Sequence, residues 1–236
     1  MQSILGSSSL RPQASPGEPI LIRGKDLAND GTTVAFDSTG MYPESAAGAR
    51  VSIGGLPARI LKASPASIEA IVPYALAGQK AANVVVTRFA QSSTSYSIDL
   101  VDTSPAIIAS TGNGRKEGSI LNYVSPSLYV PNSPQAPAPK GSVIVLYVTG
   151  AGAWETPPPY GSITLQTASF TAKPVEILIG GKAARIYFVG VPPYEIFGRL
   201  QVIAFVPNDA PSGTQPIVVR IGDSDNASQE VTIEVE

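Results

Sequence analysis

The chain has 236 residues, a formal net charge of −2, and neither cysteine nor histidine. It therefore cannot form a disulfide, a thiol nucleophile, a Ser-His-Asp triad or a cysteine-ligated zinc site. Charged residues make up 14% of the chain, against about 25% in an average domain. Basic residues are not in excess, which argues against nucleic acid as a partner.

The opening segments predict short strands separated by turns. Residues 15–28, SPGEPILIRGKDLA, begin with a Pro16-Gly17 turn and continue with Ile20 and Ile22 on one strand face. A polar, glycine-containing loop follows over residues 29–48. Glycine and proline number 22 each, and no segment has a sustained 3.6-residue period, so we expect almost no helix.

A hairpin sequence occurs twice. The segment ARVSIGGLPARILKA (49–63) shares its glycine pair and its Ala-Arg-Ile with PVEILIGGKAARIYFVG (174–190), so that Gly54 matches Gly180 and Arg59 matches Arg185. Adjacent glycines adopt the positive φ of a tight hairpin without steric cost. The repeat predicts a duplicated β module.

The later segments repeat as well. Predicted strands end in Val-Pro in both halves, at Val72-Pro73 and Val206-Pro207. Each half also ends with a predicted strand in which apolar and polar residues alternate, SYSIDLV and QEVTIEVE. We predict an all-β fold of two tandem immunoglobulin-like β-sandwiches, of the IPT/TIG or E-set type, joined by a packed crossover segment. The predicted boundaries are 1–102 for the first sandwich, 103–139 for the crossover and 140–236 for the second sandwich.

The predicted crossover is too apolar for a free linker. It contains Ile107, Ile108, Ile120, Leu121 and Tyr129. We expect a short hairpin around Gly112–Gly118 and then a proline-stiffened stretch that packs on one or both sandwiches and fixes their angle.

The repeated pattern of strand, V-x-I-G-G-x-x-A-R-I, Val-Pro and strand resembles the IPT/TIG type of immunoglobulin-like domain. Over nearly its full length the chain also resembles the Solibacter-type uncharacterised C-terminal domain family of acidobacterial exported proteins. The matching segments are ASPGEPILIRGKDLA, YPESAAGARVSIGGLPARI, IVPYALAG, SPAIIASTGNG, SILN, PAPKGSVIVLYVTGAG, PVEILIGGKAARIYFVG and FGRLQVIAFVPNDAPSG. This resemblance implies a tandem β-sandwich at the C-terminus of a larger exported protein and supplies no catalytic residue. A polar residue is more usual in that family at the Trp154 position.

Four aromatic residues are candidates for ligand binding. Trp154 and Tyr160 lie in the proline-rich loop GAGAWETPPPYG, where they could stack on sugar rings or pack against a neighbouring segment. Tyr194 and Phe197 lie in PPYEIFG, an insertion specific to the second half, which could face a ligand or cover the end of the sandwich.

Acidic residues suggest two further sites. In GDSDNAS (222–228), Asp223, Asp225 and Asn226 could bind Ca²⁺ or form an Asx-rich turn. Paired carboxylates in the first long loop could hydrolyse glycosides, or they are solvated loop charges. These residues are Asp26, Asp30, Asp37 and Glu44. We favour the structural interpretation of both groups and predict no catalytic residue, no metal and no cofactor.

We predict a non-catalytic extracellular module for structure, docking or adhesion at the C-terminus of a larger secreted or cell-surface protein. The alternative is a carbohydrate-binding module that uses Trp154 and Tyr160. The expected partners are a protein or polysaccharide at the cell surface and upstream domains of a parent chain. DNA binding, which some IPT/TIG proteins invite, would need a basic loop face that this composition does not provide, so we expect no nucleic acid partner.

We expect no membrane insertion, because the longest apolar run, VIVLYV (143–148), is too short to span a bilayer. The opening MQSILGSSSLRP lacks the features of a signal peptide, so we expect an export signal to have been removed or to lie on a longer parent chain.

Overall fold

The computed structural model describes residues 1–30, 32–109, 116–117, 119–170, 172–222 and 227–236. Within these ranges the chain forms twenty-four β-strands and a single 3₁₀ turn, Tyr74–Leu76, with no α-helix. The prediction of an all-β fold is therefore confirmed.

The first sandwich consists of two sheets. Its strands are β1 (Ser3–Gly6), β2 (Gln13–Ala14), β3 (Pro19–Arg23), β4 (Thr32–Thr33), β5 (Ser45–Ala46), β6 (Ala49–Ile53), β7 (Leu56–Pro57), β8 (Ile60–Ala63), β9 (Ser67–Ile71), β10 (Ala81–Arg88), β11 (Gln91–Ser92) and β12 (Tyr96–Leu100). One sheet has the order β1-β3-β9-β8-β4. The other has the order β2-β12-β10-β6-β5, with β7 paired to β6 and β11 paired to β10.

The second sandwich also consists of two sheets. Its strands are β13 (Ala106–Ile107), β14 (Lys116–Glu117), β15 (Ile120–Ser125), β16 (Leu128–Pro131), β17 (Val143–Thr149), β18 (Ala168–Ser169), β19 (Val175–Ile179), β20 (Lys182–Ala183), β21 (Arg185–Val191), β22 (Arg199–Phe205), β23 (Gly213–Ile221) and β24 (Val231–Val235). The two sheets have the orders β16-β15-β17-β22-β21-β18, with β13 beside β17, and β14-β24-β23-β19-β20.

The two sandwiches share one strand order. The run β1-β3-β9-β8-β4 corresponds to β15-β17-β22-β21-β18, and β2-β12-β10-β6-β7 corresponds to β14-β24-β23-β19-β20. Both copies contain a parallel edge pair, β2 with β12 and β14 with β24. Both also have a register shift at the same place, between Ile60 and Lys62 and between Ile186 and Phe188. The second copy adds β16, which pairs with β15 and widens its sheet.

Each sandwich encloses its own apolar core. Inward residues of β3 and β9 such as Ile20 and Ile68 pack in the first core, and those of β17 and β22 such as Ile144 and Val202 pack in the second. The prediction of two tandem sandwiches is thereby confirmed. The IPT/TIG assignment stays a prediction.

The segment predicted as a crossover, residues 103–139, supplies β13 to β16, which pair with strands of the second sandwich. The hairpin predicted around Gly112–Gly118 falls mainly on residues 112–115 and 118, which lie outside the described residues. The three predicted ranges, 1–102, 103–139 and 140–236, stay predictions.

Both glycine pairs form tight hairpins. Gly54 and Gly55 have φ values of 60° and 80°, and Gly180 and Gly181 have 56° and 76°. These positive values explain why the sequence repeats glycine at both positions. A Cβ on Gly54 would lie 2.6 Å from Leu76 Cδ2, whereas a Cβ on Gly55 would meet nothing within 4 Å.

The two glycines of the first hairpin therefore differ in what they tolerate. Gly55→Ala should lower the free energy of unfolding by about 1 kcal/mol through its positive φ alone. Gly54→Ala should lower it by about 2 kcal/mol or more, because its methyl group also crowds Leu76. Urea unfolding of both variants measures the difference, and equal losses would contradict the steric contribution.

Candidate functional site

Backbone hydrogen bonds join the two sandwiches. Tyr42 N donates to Gly161 O and Ile163 N donates to Gly40 O, each at 2.9 Å, so that residues 40–42 and 161–163 form a short antiparallel pair. A bridge between Ile163 and Ile196 adds a third segment. We call residues 40–42, 161–164 and 194–196 the strap.

A small apolar cluster lies beneath the strap. Leu61 and Ile71, on the outer face of β8 and β9, contact residues of the second sandwich instead of solvent and are 5% and 3% exposed. Burial of such side chains stabilises the contact by about 1.5–3 kcal/mol each. The interface cluster consists of Leu61, Ile71, Ile163 and Ile196, with Tyr42 and Tyr160 packed against it.

The Tyr160 hydroxyl fills a gap in the backbone hydrogen bonding of the first sandwich's sheet. Ile71 N donates to Arg59 O at 2.9 Å, but Arg59 N donates to the Tyr160 hydroxyl at 3.1 Å. The same hydroxyl donates to Ile71 O at 2.5 Å. Burial raises the pKa of Tyr160 well above its usual value, so the hydroxyl stays protonated and keeps its donor. One side chain of the second sandwich thus satisfies two backbone groups of the first.

Charge pairing accompanies this contact. Arg199 of the second sandwich lies 3.3 Å from Glu69 of the first and 3.6 Å from Glu195. Lys62 lies 3.4 Å from the other oxygen of Glu69. The Glu69 side chain is buried with both cations beside it, so removing Arg199 would leave a desolvated carboxylate short of a partner.

The backbones of the two sandwiches also touch. A Cβ on Gly198 would lie 2.2 Å from Gly17 O, and a Cβ on Gly161 would lie 2.2 Å from Arg59 Cγ. Real Cβ atoms do not approach this closely, so the interface requires glycine at both positions. The two sandwiches therefore approach each other at these two points with no room for a side chain.

The four aromatic residues predicted to bind ligand are distributed over three environments. Trp154 and Phe197 lie together, with edge-on ring centroids 5.4 Å apart, and Trp154 also packs on Phe170 at 5.1 Å beside the second core. Tyr160 belongs to the interface. Tyr194 is 69% exposed, with φ of 66°. Ligand binding by these residues stays a prediction.

Two acidic residues of the first long loop have structural partners. Asp37 accepts hydrogen bonds from Thr39 and Met41, which hold its pKa below the usual value, and Glu44 forms an ion pair with Arg59 at 3.2 Å. Among the described residues, no three metal-ligating side chains come together. Asp223, Asp225 and Asn226 lie outside the described residues, so the calcium hypothesis is untested.

An aromatic surface that the sequence analysis did not identify lies on the outer face of the second sandwich. Tyr123 and Tyr129 pack edge to face at 5.6 Å, and Tyr187 is 73% exposed. A depression of about 290 Å³ opens between them. We call this surface the aromatic face; it is formed by Tyr123, Tyr129, Val143, Val145, Tyr187, Ile203 and Phe205.

A sequence signal for this face exists. The segment VIVLYV (143–148) is apolar at every position, so both faces of this strand are apolar, whereas a half-buried strand is apolar at alternate positions only. Tyr123 and Tyr129 also fall at outward positions of β15 and β16. Both tyrosines lie in residues 103–139, for which the sequence predicts a segment that packs on the sandwiches, so the pattern alone does not indicate an exposed face.

No protein-family model matches the chain, and no curated protein does. Among solved structures, the chain is similar to SGBP-B of the Bacteroides ovatus mixed-linkage glucan utilization locus, in complex with a mixed-linkage heptasaccharide. The identity is 12% and the TM-score 0.38, over 95% of this chain and 43% of that one. The chain thus spans less than half of that protein's length.

The chain is also similar to domains 5–6 of the S-layer protein SbsC, with 12% identity and a TM-score of 0.27 over 99% of this chain and 95% of that one. At TM-scores this low, neither likeness bears on what this chain binds. No helix in the described part of the chain is long and apolar enough to cross a membrane.

Glu18 is a buried acid within the first sandwich. Its Oε2 accepts hydrogen bonds from Ser15 N at 2.9 Å and Ser15 Oγ at 3.2 Å, while Oε1 is buried with no partner among the described residues. Burial raises the pKa of Glu18 from 4.5 to about 8, although Ser15 and Arg11 oppose the shift. The folded protein thus holds a proton that the unfolded chain releases.

Stability should therefore fall as the pH rises between 4.5 and 8, because the folded pKa lies above the unfolded one. Glu18→Gln stays neutral and should gain about 1–3 kcal/mol over the wild type at high pH and little at low pH. Urea unfolding across this pH range measures the difference. Glu230→Gln, at an exposed position, is the control, and parallel curves for the wild type and Glu18→Gln would contradict the burial argument.

Proposed function

We propose that the chain is a non-catalytic module that presents binding surfaces on a rigid two-sandwich body. The observation that carries this proposal is the interface, in which the strap, the interface cluster and the Tyr160 hydroxyl fix one sandwich on the other. Tandem domains without such contacts move relative to one another by default. A fixed angle suits a spacer or docking element.

The chemistry of the side chains supports a passive role. Neither histidine nor cysteine occurs in the sequence, so acid–base catalysis would depend on carboxylates, lysine or tyrosine. Several carboxylates have structural partners instead: Glu44 pairs with Arg59, Glu69 with Arg199 and Lys62, Glu176 with Arg220, and Asp209 with Lys182.

The proposed setting is the cell surface or the extracellular space, within a larger secreted protein. The low charge density and the resemblance of the sequence to the Solibacter-type C-terminal domain family support this setting. The proposed partners are surface proteins and the upstream domains of the parent chain. Membership in that family is part of the proposal.

Carbohydrate binding is the second candidate function, and the exposure of Tyr194 favours it. The rings of Trp154, Tyr160 and Phe197 pack on other side chains, so a sugar would first meet Tyr194. Affinity electrophoresis in gels containing soluble polysaccharides tests this candidate. Retardation that Tyr194→Ala or Trp154→Ala abolishes would support it, and unretarded wild-type protein would end it.

The rigid body itself is tested by Gly198→Ala. The new methyl group would overlap Gly17 O of the other sandwich, and backbone atoms cannot rotate away. We expect the wild type to unfold in one cooperative transition and the variant to unfold in two, with a larger radius of gyration in X-ray scattering before unfolding begins.

Gly181→Ala is the matched control. It makes the same substitution in the second sandwich, at a hairpin where a Cβ meets nothing within 4 Å. It should lower stability by about 1 kcal/mol through its positive φ and leave the single transition intact. Two transitions in the wild type, or one unchanged transition in Gly198→Ala, would contradict the proposed rigid body.

A further inference from the structure

The aromatic face of the second sandwich corresponds to a face that is covered in the first. In the first sandwich, Tyr160 binds between Arg59 and Ile71, which lie opposite each other at the ends of neighbouring strands. In the second sandwich, the cross-strand neighbours at the same position are Arg185 and Phe205. Leu61 and Tyr187 are the extra residues at the two matching register shifts. Leu61 is 5% exposed as a member of the interface cluster, whereas Tyr187 is 73% exposed.

The uncovered copy is the more apolar of the two. Where the first sandwich pairs Lys62 with Glu69 across β8 and β9, the second pairs Phe188 with Ile203 across β21 and β22. Arg185 is charged, but its guanidinium lies 3.8 Å from the Phe205 ring centroid. Large exposed apolar surfaces of this kind mark interaction sites.

The extra strand β16 enlarges this surface. Tyr129 extends the face beyond the width of the corresponding sheet in the first sandwich, and its ring packs on Tyr123. Five strands about 4.8 Å apart, from β16 to β21, span about 19 Å from the first strand to the last. The second copy thus has a broader and more aromatic outer face than the copy that is already covered.

The chain's own covering elements are not free to bind this face. The covering residues of the second sandwich already pack against the first sandwich; they are Tyr160, Ile163 and Ile196. The loop between β3 and β6, which corresponds in position to the loop carrying Tyr160, is bonded to that loop through Tyr42 and Gly161. A second copy of this chain presents a face of the same width and with the same near absence of charge.

We propose that the aromatic faces of two copies of this chain pack against each other about a twofold axis. Twofold symmetry is the commonest arrangement of identical subunits, and a surface with almost no charge is compatible with itself without opposing charges. The dimer rests on the proposed function as a docking module, and it would place two rigid two-sandwich bodies back to back.

The size of the face predicts a weak dimer. A face about 19 Å wide on strands of up to seven residues would bury on the order of 400 Å² per copy. This is less than the about 800 Å² per partner of a standard stable interface. We therefore expect half-dissociation at about 10–100 μM. Since the contact is apolar, 1 M NaCl should leave the dimer intact or strengthen it.

Sedimentation velocity of the whole chain from about 5 to 500 μM tests the proposal. We expect a concentration-dependent shift from monomer to dimer in the wild type. Tyr187→Ser and Tyr129→Ser, both at exposed positions, should weaken dimerisation at least tenfold without changing the thermal unfolding midpoint by more than a few degrees. Tyr194→Ser removes an equally exposed tyrosine outside the face and should dimerise like the wild type.

Three results would overturn the proposal. The first is a wild type that stays monomeric at every concentration, and the second is a dimer that Tyr187→Ser and Tyr129→Ser do not weaken. The third is a monomer that soluble polysaccharides retard in affinity gels and that Tyr187→Ser releases, since the face would then be a sugar site. A monomer with a single unfolding transition would refute the dimer and leave the rigid module standing.

Discussion

The arrangement of the whole molecule depends on one hydroxyl and the surfaces around it. The Tyr160 hydroxyl bonds Arg59 N and Ile71 O, two backbone groups that lie on neighbouring strands of the other sandwich. Undocking would expose both groups to water, so each of these hydrogen bonds favours the docked state by its net contribution of about 0.5–1.5 kcal/mol. The docked sandwich also excludes water from the two groups, and loss of the hydroxyl alone would leave them buried without this partner.

The two sandwiches share one fold, but their outer faces have different roles. Both copies keep the strand order, the glycine hairpin and the register shift, all of which serve the internal packing of a sandwich. The outer faces differ, because internal packing does not constrain them. The first carries Leu61 and Glu69 and accepts the second sandwich, whereas the second carries Tyr187 and Ile203 and stays uncovered.

Local features of the sequence predicted the fold. Gly54-Gly55 and Gly180-Gly181 specify hairpins by their φ values, and the alternation in the closing strands specifies a buried face, so neither depends on distant residues. The interface could not be predicted in this way. Tyr160 and Trp154 share one loop, yet Tyr160 reaches the other sandwich and Trp154 turns to Phe170 and Phe197. That difference arises from docking, which the pattern of a single strand does not encode.

The central claim is that the two sandwiches form one rigid body, and residual dipolar couplings of the wild-type chain in a weakly aligning medium test it most directly. Amide couplings from β3, β6 and β9 report the orientation of the first sandwich, and those from β17, β19 and β22 report the second. The interface predicts that one alignment tensor of a single magnitude fits both sets together with the described structure. Two tensors of different magnitude would show independent motion and contradict the claim.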